Sequence, residues 1–428
     1  MVNNSNEKLV RAVGLWGLVA MCINAVIGSG VFLLPSESYR LLGPFSLWAP
    51  LIFALPVFIL ALCFAEAASH FSEPGGAYLY SRTAFGDFIG FETGWMNWLA
   101  RVTSLASLSN GFVVSLARFY PPLGSGILRS ALIIGSLLIL GIIHFIGVKY
   151  GAVSIYVLTF GKVVPLVGFI ILALILFPHN PIPASMHLPG HGTDWGGAAL
   201  FMLFAYAGFE NLGVPAGEYK NPRRDLPKAL LIGLLIIGAI YVLAQLGAMA
   251  ALTNLAASQT PIADAAAALV GTWGAVVITL GAVMSMAGTN SGTVLEGSRM
   301  LYALSLDRRM GAISYVHPGY RTPTVAIVVH VIVATILALI STFANMALFS
   351  AGARLTTYLF TCAALPRLRK LNEGFRTPGL WMPILGTLIS LALVVSLDRV
   401  KLLAGAIALI LGALIWLATR TPAKSAVN

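Results

Sequence analysis

The sequence predicts an all-α polytopic membrane protein, on three observations. The 428 residues are 58% hydrophobic and only 10% charged, with mean hydropathy +0.89, a balance that soluble domains of this length do not keep. Apolar runs of about 20 residues, the length a helix needs to cross a bilayer, recur twelve times. Two of those runs, the first and the sixth, are interrupted by glycine beside polar residues.

In chain order the expected spans are 12–35, 44–69, 87–117, 129–147, 151–177, 196–216, 227–252, 270–304, 323–342, 344–366, 380–397 and 400–419. The first is too long, and too poor in a small-residue cleavage site, for a signal peptide, so it reads as a mature span. An even number of spans puts both termini on one side. With the termini inside, cytoplasmic segments hold 18 of the 26 basic residues and outer segments 5, while Arg101, Lys162 and Arg354 fall within spans. That bias sets both termini in the cytoplasm of a bacterial-type plasma membrane. It also accounts for the net charge of +11, which in a soluble protein would point to nucleic acid. Cys22, Cys63 and Cys362 all lie in apolar spans and form neither a disulfide framework nor a metal-ligand spacing.

The first span contains Ile27-Gly28-Ser29-Gly30-Val31-Phe32, followed by Leu34-Pro35. Glycine costs about 1 kcal/mol against alanine inside a helix, so the pair around Ser29 marks a break. A break at membrane depth exposes backbone groups that must line a cavity or bind something. The N–H groups of the resuming half-helix suit a carboxylate.

The loop after the second span, Glu73-Pro74-Gly75-Gly76-Ala77-Tyr78-Leu79-Tyr80, is too polar to span and too apolar to hang free, so a short helix at the cytoplasmic rim is expected. The sixth span holds Phe204-Ala205-Tyr206-Ala207-Gly208-Phe209-Glu210-Asn211. Its glycine, acid and amide read either as a second break or as a packing glycine beside a polar contact. Position favours the break, because interruptions in corresponding spans of two halves mark an inverted-repeat transporter. The halves are 12–177 and 196–366, with 380–419 as two additional helices. Phe204, Ala205, Ala207 and Phe209 form an apolar surround suited to neutral side chains.

Together these motifs resemble the amino acid–polyamine–organocation (APC) permease superfamily. The resemblance rests on "IGSGVFLLP", "EPGGAYLYSRTAFGDFIGFETGW", "FAYAGFENLGVPAGEYKNPRRDLPKAL" and "GSRMLYALSLDRRM", in that order. It covers essentially the whole chain and implies a leucine-transporter (LeuT) type fold with five-plus-five inverted repeats. It also implies an α-amino acid held where the first and sixth spans unwind. Gly28, Ser29 and Gly30 would supply N–H groups to the carboxylate. Carbonyls near Val26, Ile27, Phe204 and Ala207 would take the ammonium, beside Ala205 and Gly208, with Phe204 where an aromatic gate often lies.

Charges inside spans are costly unless used. Lys162 lies 11 residues beyond Gly151, about 16 Å at helical rise. It either bends to the cytoplasmic rim or, as the resemblance implies, stands beside the first break where sodium-coupled relatives keep a cation. Whether it would be a permanent cation or titrate is open. Glu210 resembles a gating or proton-sensing acid, with a structural acceptor for nearby N–H groups as the alternative. Arg101, Glu296 and Arg354 depart from the family pattern and read as a buried charge network in which Glu296 pairs with one arginine. Glu66, near a helix end, is expected to be solvated at the rim.

No nucleophile and base converge, and His144, His330 and Ser29 are scattered, so an enzyme is not expected. No cofactor or metal is called for, and protons are a candidate coupling partner. Repeated polar rings of a channel are missing. The expected function is secondary active transport of amino acids, most simply without sodium. An amino acid/polyamine antiporter, an exporter or a non-transporting sensor are the alternatives. Substrate, direction and oligomeric state are not legible.

Overall fold

The computed structural model describes residues 14–71, 75–147, 149–176, 193–213, 220–308, 310–371, 376–377 and 379–419, and at 149–160, 213, 222 and 223 the backbone alone. Expectations for Glu73-Pro74, for the 214–216 end of the sixth span and for the termini lie outside the described residues. So does most of the connection between the fifth and sixth spans.

Among the described residues the regular elements are helices. The first span is α1 (Leu15–Val26) and α2 (Gly30–Leu42), two segments bent by 55° across the break. Next come α3 (Ala49–Ser69), the short rim helix α4 (Gly76–Phe85), α5 (Asp87–Ala117), α6 (Gly126–Ile146) and α7 (Lys149–Leu176). In the second half, α8 (Trp195–Tyr206) stops at Ala207 and a 3-10 turn follows over Phe209–Gly213. The chain then runs through α9 (Pro222–Ala251), α10 (Pro261–Val270), α11 (Thr272–Arg308), α12 (Thr324–Ile340), α13 (Phe343–Leu371), α14 (Trp381–Val395) and α15 (Arg399–Ala418).

Among these, α3, α5, α6, α9, α11 and α15 are each long and apolar enough to cross a bilayer, and the bent α1–α2 pair makes a seventh. The other expected spans fall on helices that are shorter, more polar or interrupted. The connection between α9 and α11 is itself partly helical, through α10. Pro261 supplies the fixed φ favoured in a first helical turn, and α10 buries Ile262, Ala263, Ala265 and Ala266 against its neighbours.

The packing order explains which helices can carry a site. α5 lies against α11 and α13, α1 and α3 against α9, α2 against α8, and α7 against α11. Both interrupted helices are therefore interior. At the periphery α15 buries only Gly412, and α6 buries only Ile133, Leu137 and His144. Their outer faces present Ile139, Ile142, Leu403 and Ile410, as lipid contact requires. The last carbonyls of α12 are tied down by Arg129, which donates to Ala338 at 2.9 Å, Leu339 at 3.2 Å and Ser341 at 2.8 Å. That closes a helix end whose C=O groups have no partner in the helix.

Candidate functional site

At the first break the exposed carbonyls are met by side chains from three other helices. Lys162 of α7, 3% exposed, donates to Asn24 at 2.8 Å and to Ile27 at 2.7 Å. Ser285 of α11 donates to Gly28 at 3.0 Å. The Tyr241 hydroxyl of α9 lies 3.4 Å from the Val26 carbonyl. The donors are treated differently. Among the described residues, the N–H groups of Gly28, Ser29, Gly30 and Val31 meet no protein acceptor, and the buried Ser29 hydroxyl has none either. Among the described residues the Asn24, Ile27 and Gly28 carbonyls are occupied, the Ala25 carbonyl accepts no hydrogen bond, and the donor side of the break is free.

The second break begins where the Ala207 N–H reaches back to Phe204 at 3.2 Å and the chain turns extended. Gly208 has φ +126°, and a Cβ there would stand 2.4 Å from the Ala25 carbonyl oxygen. Only glycine meets both demands. Gly30 plays the same part on the other side, since a Cβ on it would be 2.9 Å from Ala205 Cα. The two interruptions thus touch backbone to backbone. Among the described residues the Tyr206 and Ala207 carbonyls accept no hydrogen bond. Phe204 is buried, edge-on to Phe343 at 6.2 Å, and Phe209 packs against Phe64 at 5.8 Å.

Glu210 and Asn211, on the 3-10 turn, are each gripped by a separate charge cluster. Glu210 accepts from its neighbour Gly208 N–H at 2.8 Å and from the Tyr358 hydroxyl at 3.3 Å, and its other oxygen is 3.3 Å from Arg354 Nε. Arg101 of α5 pairs with Glu296 of α11 and donates to the Asn211 side-chain oxygen. Asn211 in turn donates to Glu296 at 2.9 Å. Arg101, Glu296 and Arg354 therefore do not form one network: Arg354 belongs to Glu210, and Asn211 is the bridge the sequence did not announce.

Glu66 corrects an expectation. It is fully buried, and accepts from Arg369 at 2.5 and 2.9 Å and from the Thr377 N–H and hydroxyl at 2.9 and 2.6 Å. Rim solvation fails because Arg369, some 300 positions later, folds back over it. Ser285 and Tyr241 were also missed. The polar run Thr289-Asn290-Ser291 just after Ser285 was the available signal for α11; α9 offered none.

With this geometry in place, the chain can be set beside known proteins. A profile of the family described as amino acid permease matches residues 13–401. The serine/threonine exchanger SteT of Bacillus subtilis is 29% identical, over 87% of this chain and 86% of its own. The branched-chain amino acid permease BcaP of the same organism is 26% identical, over 96% and 94% respectively. An arginine/ornithine antiporter of Pseudomonas aeruginosa is 30% identical, over 72% of this chain and 66% of its own. Family and relatives are transporters, not enzymes. The chain is a multi-pass integral membrane protein of the amino acid permease family, within the APC superfamily.

Proposed function

We propose that this permease is a twelve-span secondary transporter of LeuT type, which moves an α-amino acid across the plasma membrane by alternating access, both termini being cytoplasmic. The observation that carries the reading is the asymmetry of the first break. Its Asn24, Ile27 and Gly28 carbonyls are met by Lys162 and Ser285, whereas among the described residues four N–H groups and the Ser29 hydroxyl have no protein partner. A helix start with free donors in a low-dielectric setting favours an anion. The substrate carboxylate belongs there. Its ammonium belongs at the free Tyr206 and Ala207 carbonyls of the second break rather than at Val26, Ile27 and Phe204, whose carbonyls Tyr241, Lys162 and the Ala207 N–H already approach.

Lys162 stands where a cation is needed against the end of α1, so transport proceeds without sodium. Glu210 and its arginine lie directly beyond the second break, where a gate or proton-sensing group acts. Exchange is supported by the relatives named as exchanger and antiporter. Their different substrates leave the side chain of this substrate open. A polyamine, which has no carboxylate, leaves the free donors unanswered and fits less well.

The test is a thermal-stabilisation screen of purified protein against the protein amino acids and common polyamines, since a bound ligand raises apparent stability by mass action. At least one α-amino acid should stabilise, and its decarboxylated amine should not. Equal stabilisation by both would remove the carboxylate from the first break.

A further inference from the structure

α9 passes behind both breaks, and one of its side chains reaches each of them. Tyr241 is buried, with its ring 5.2 Å from that of Tyr206, whose own hydroxyl donates to the Pro50 carbonyl at 2.8 Å. The Tyr241 hydroxyl donates to the Ala205 carbonyl at 2.7 Å and stands 3.4 Å from that of Val26. These carbonyls belong to the last turns of α8 and α1, which an uninterrupted helix would have satisfied with its own N–H groups. Among the described residues, Tyr241 is the one side chain that approaches either of them with a donor. Beside it lies a cavity of about 20 Å³ lined by Gly30, Val31, Ala205 and Gln245. That is room for a single water at most.

Ala205 is also the residue on which Gly30 sits without space for a Cβ. Holding the Ala205 carbonyl therefore holds the seat between the end of α8 and the start of α2. We propose that Tyr241 is a positioning residue: its hydroxyl clamps the two breaks and fixes the separation between the free donors of Ser29–Val31 and the free carbonyls of Tyr206 and Ala207. That separation selects the length of the zwitterion, an α-amino acid over its β-homologue with one more carbon between the charges. The inference rests on the reading that these two breaks hold the carboxylate and the ammonium.

The experiment measures uptake of a uniformly labelled mixture of the protein amino acids into proteoliposomes preloaded with the same mixture. L-alanine, L-leucine and L-lysine compete against their β-homologues, and the pair that wild type separates best is followed. Tyr241→Phe removes only the hydroxyl. It should raise the half-saturation concentration about tenfold, the worth of one hydrogen bond at the upper end of its range. It should also shrink the α-over-β preference, while the maximal rate stays within about twofold. Thr322→Val, which loses a bond to the Phe145 carbonyl but none to a break, should lower thermal stability and leave both values at wild type. Half-saturation does not depend on how much protein folds, so a low yield of the variant does not blur the result. An unchanged half-saturation, or an unchanged preference, in Tyr241→Phe overturns the clamp. If wild type fails to separate amino acid from decarboxylated amine, the underlying reading of the breaks fails instead.

Discussion

The Lys162 ammonium lies 2.7 Å from the Ile27 carbonyl, across 135 positions of sequence, and joins α7 to the broken end of α1. With Asn24 as second acceptor, it sits at the negative end of a helix dipole. Among the described residues no carboxylate pairs with it, so carbonyl dipoles alone offset its burial.

Charge-assisted hydrogen bonds of this kind are worth about 1.5–3 kcal/mol each. Lys162→Ala should therefore reduce proteoliposome uptake by at least about tenfold, with expression changed far less. Lys162→Arg should not restore it, because a planar fork does not fill the place of a compact ammonium. Uptake by the wild type should persist when sodium is replaced by potassium or choline. Strict sodium dependence together with full activity of the alanine variant would sink this role.

The two glycines of the first break should differ in tolerance. A Cβ at Gly30 meets Ala205 Cα at 2.9 Å, whereas at Gly28 the nearest atom is the Thr289 hydroxyl at 3.6 Å, an ordinary contact. Gly30→Ala should cost about 1–3 kcal/mol in packing and abolish most uptake, and Gly28→Ala should retain it. Leucine at either position should abolish uptake, while Ser29→Ala should be milder. Radiolabelled uptake at matched expression decides the order; equal tolerance at the two positions would contradict the close seat on α8.

Glu210 and Arg354 form a buried pair, and breaking such a pair by removing one partner costs about 3–5 kcal/mol. Glu210→Gln should lower thermal stability and reduce transport. Adding Arg354→Met should recover part of the stability, because the stranded guanidinium is gone. The readouts are melting temperature and uptake at matched expression. Normal uptake with a lowered melting temperature would reduce Glu210 to a structural acceptor for the Gly208 N–H.

Glu66 should prove structural. It accepts four bonds from Arg369 and Thr377 without solvent contact, so Glu66→Ala should cost about 3–5 kcal/mol. Half-saturation for uptake should stay near wild type, since the clasp joins α3 to the end of α13 and touches neither break. A change in substrate affinity without loss of melting temperature would contradict this.

The sequence by itself determined the helical membrane class and the places where two helices stop. Apolar run length reports one, and the local cost of glycine at Gly28, Gly30 and Gly208 reports the other; both are properties of a few neighbouring residues. It also marked Lys162, Glu210, Arg101, Glu296 and Arg354 as charges that needed an explanation, because burial of a charge is costly wherever it occurs. Only the tertiary structure decided what answers each one. It gave Arg354 to Glu210 and Arg101 to Glu296 with Asn211 bonded to both, buried Glu66 beneath Arg369, and brought Tyr241 and Ser285 to carbonyls far away in the chain. Those assignments depend on which helix faces meet. A tyrosine or serine in an apolar span carries no local sign of the partner it will find.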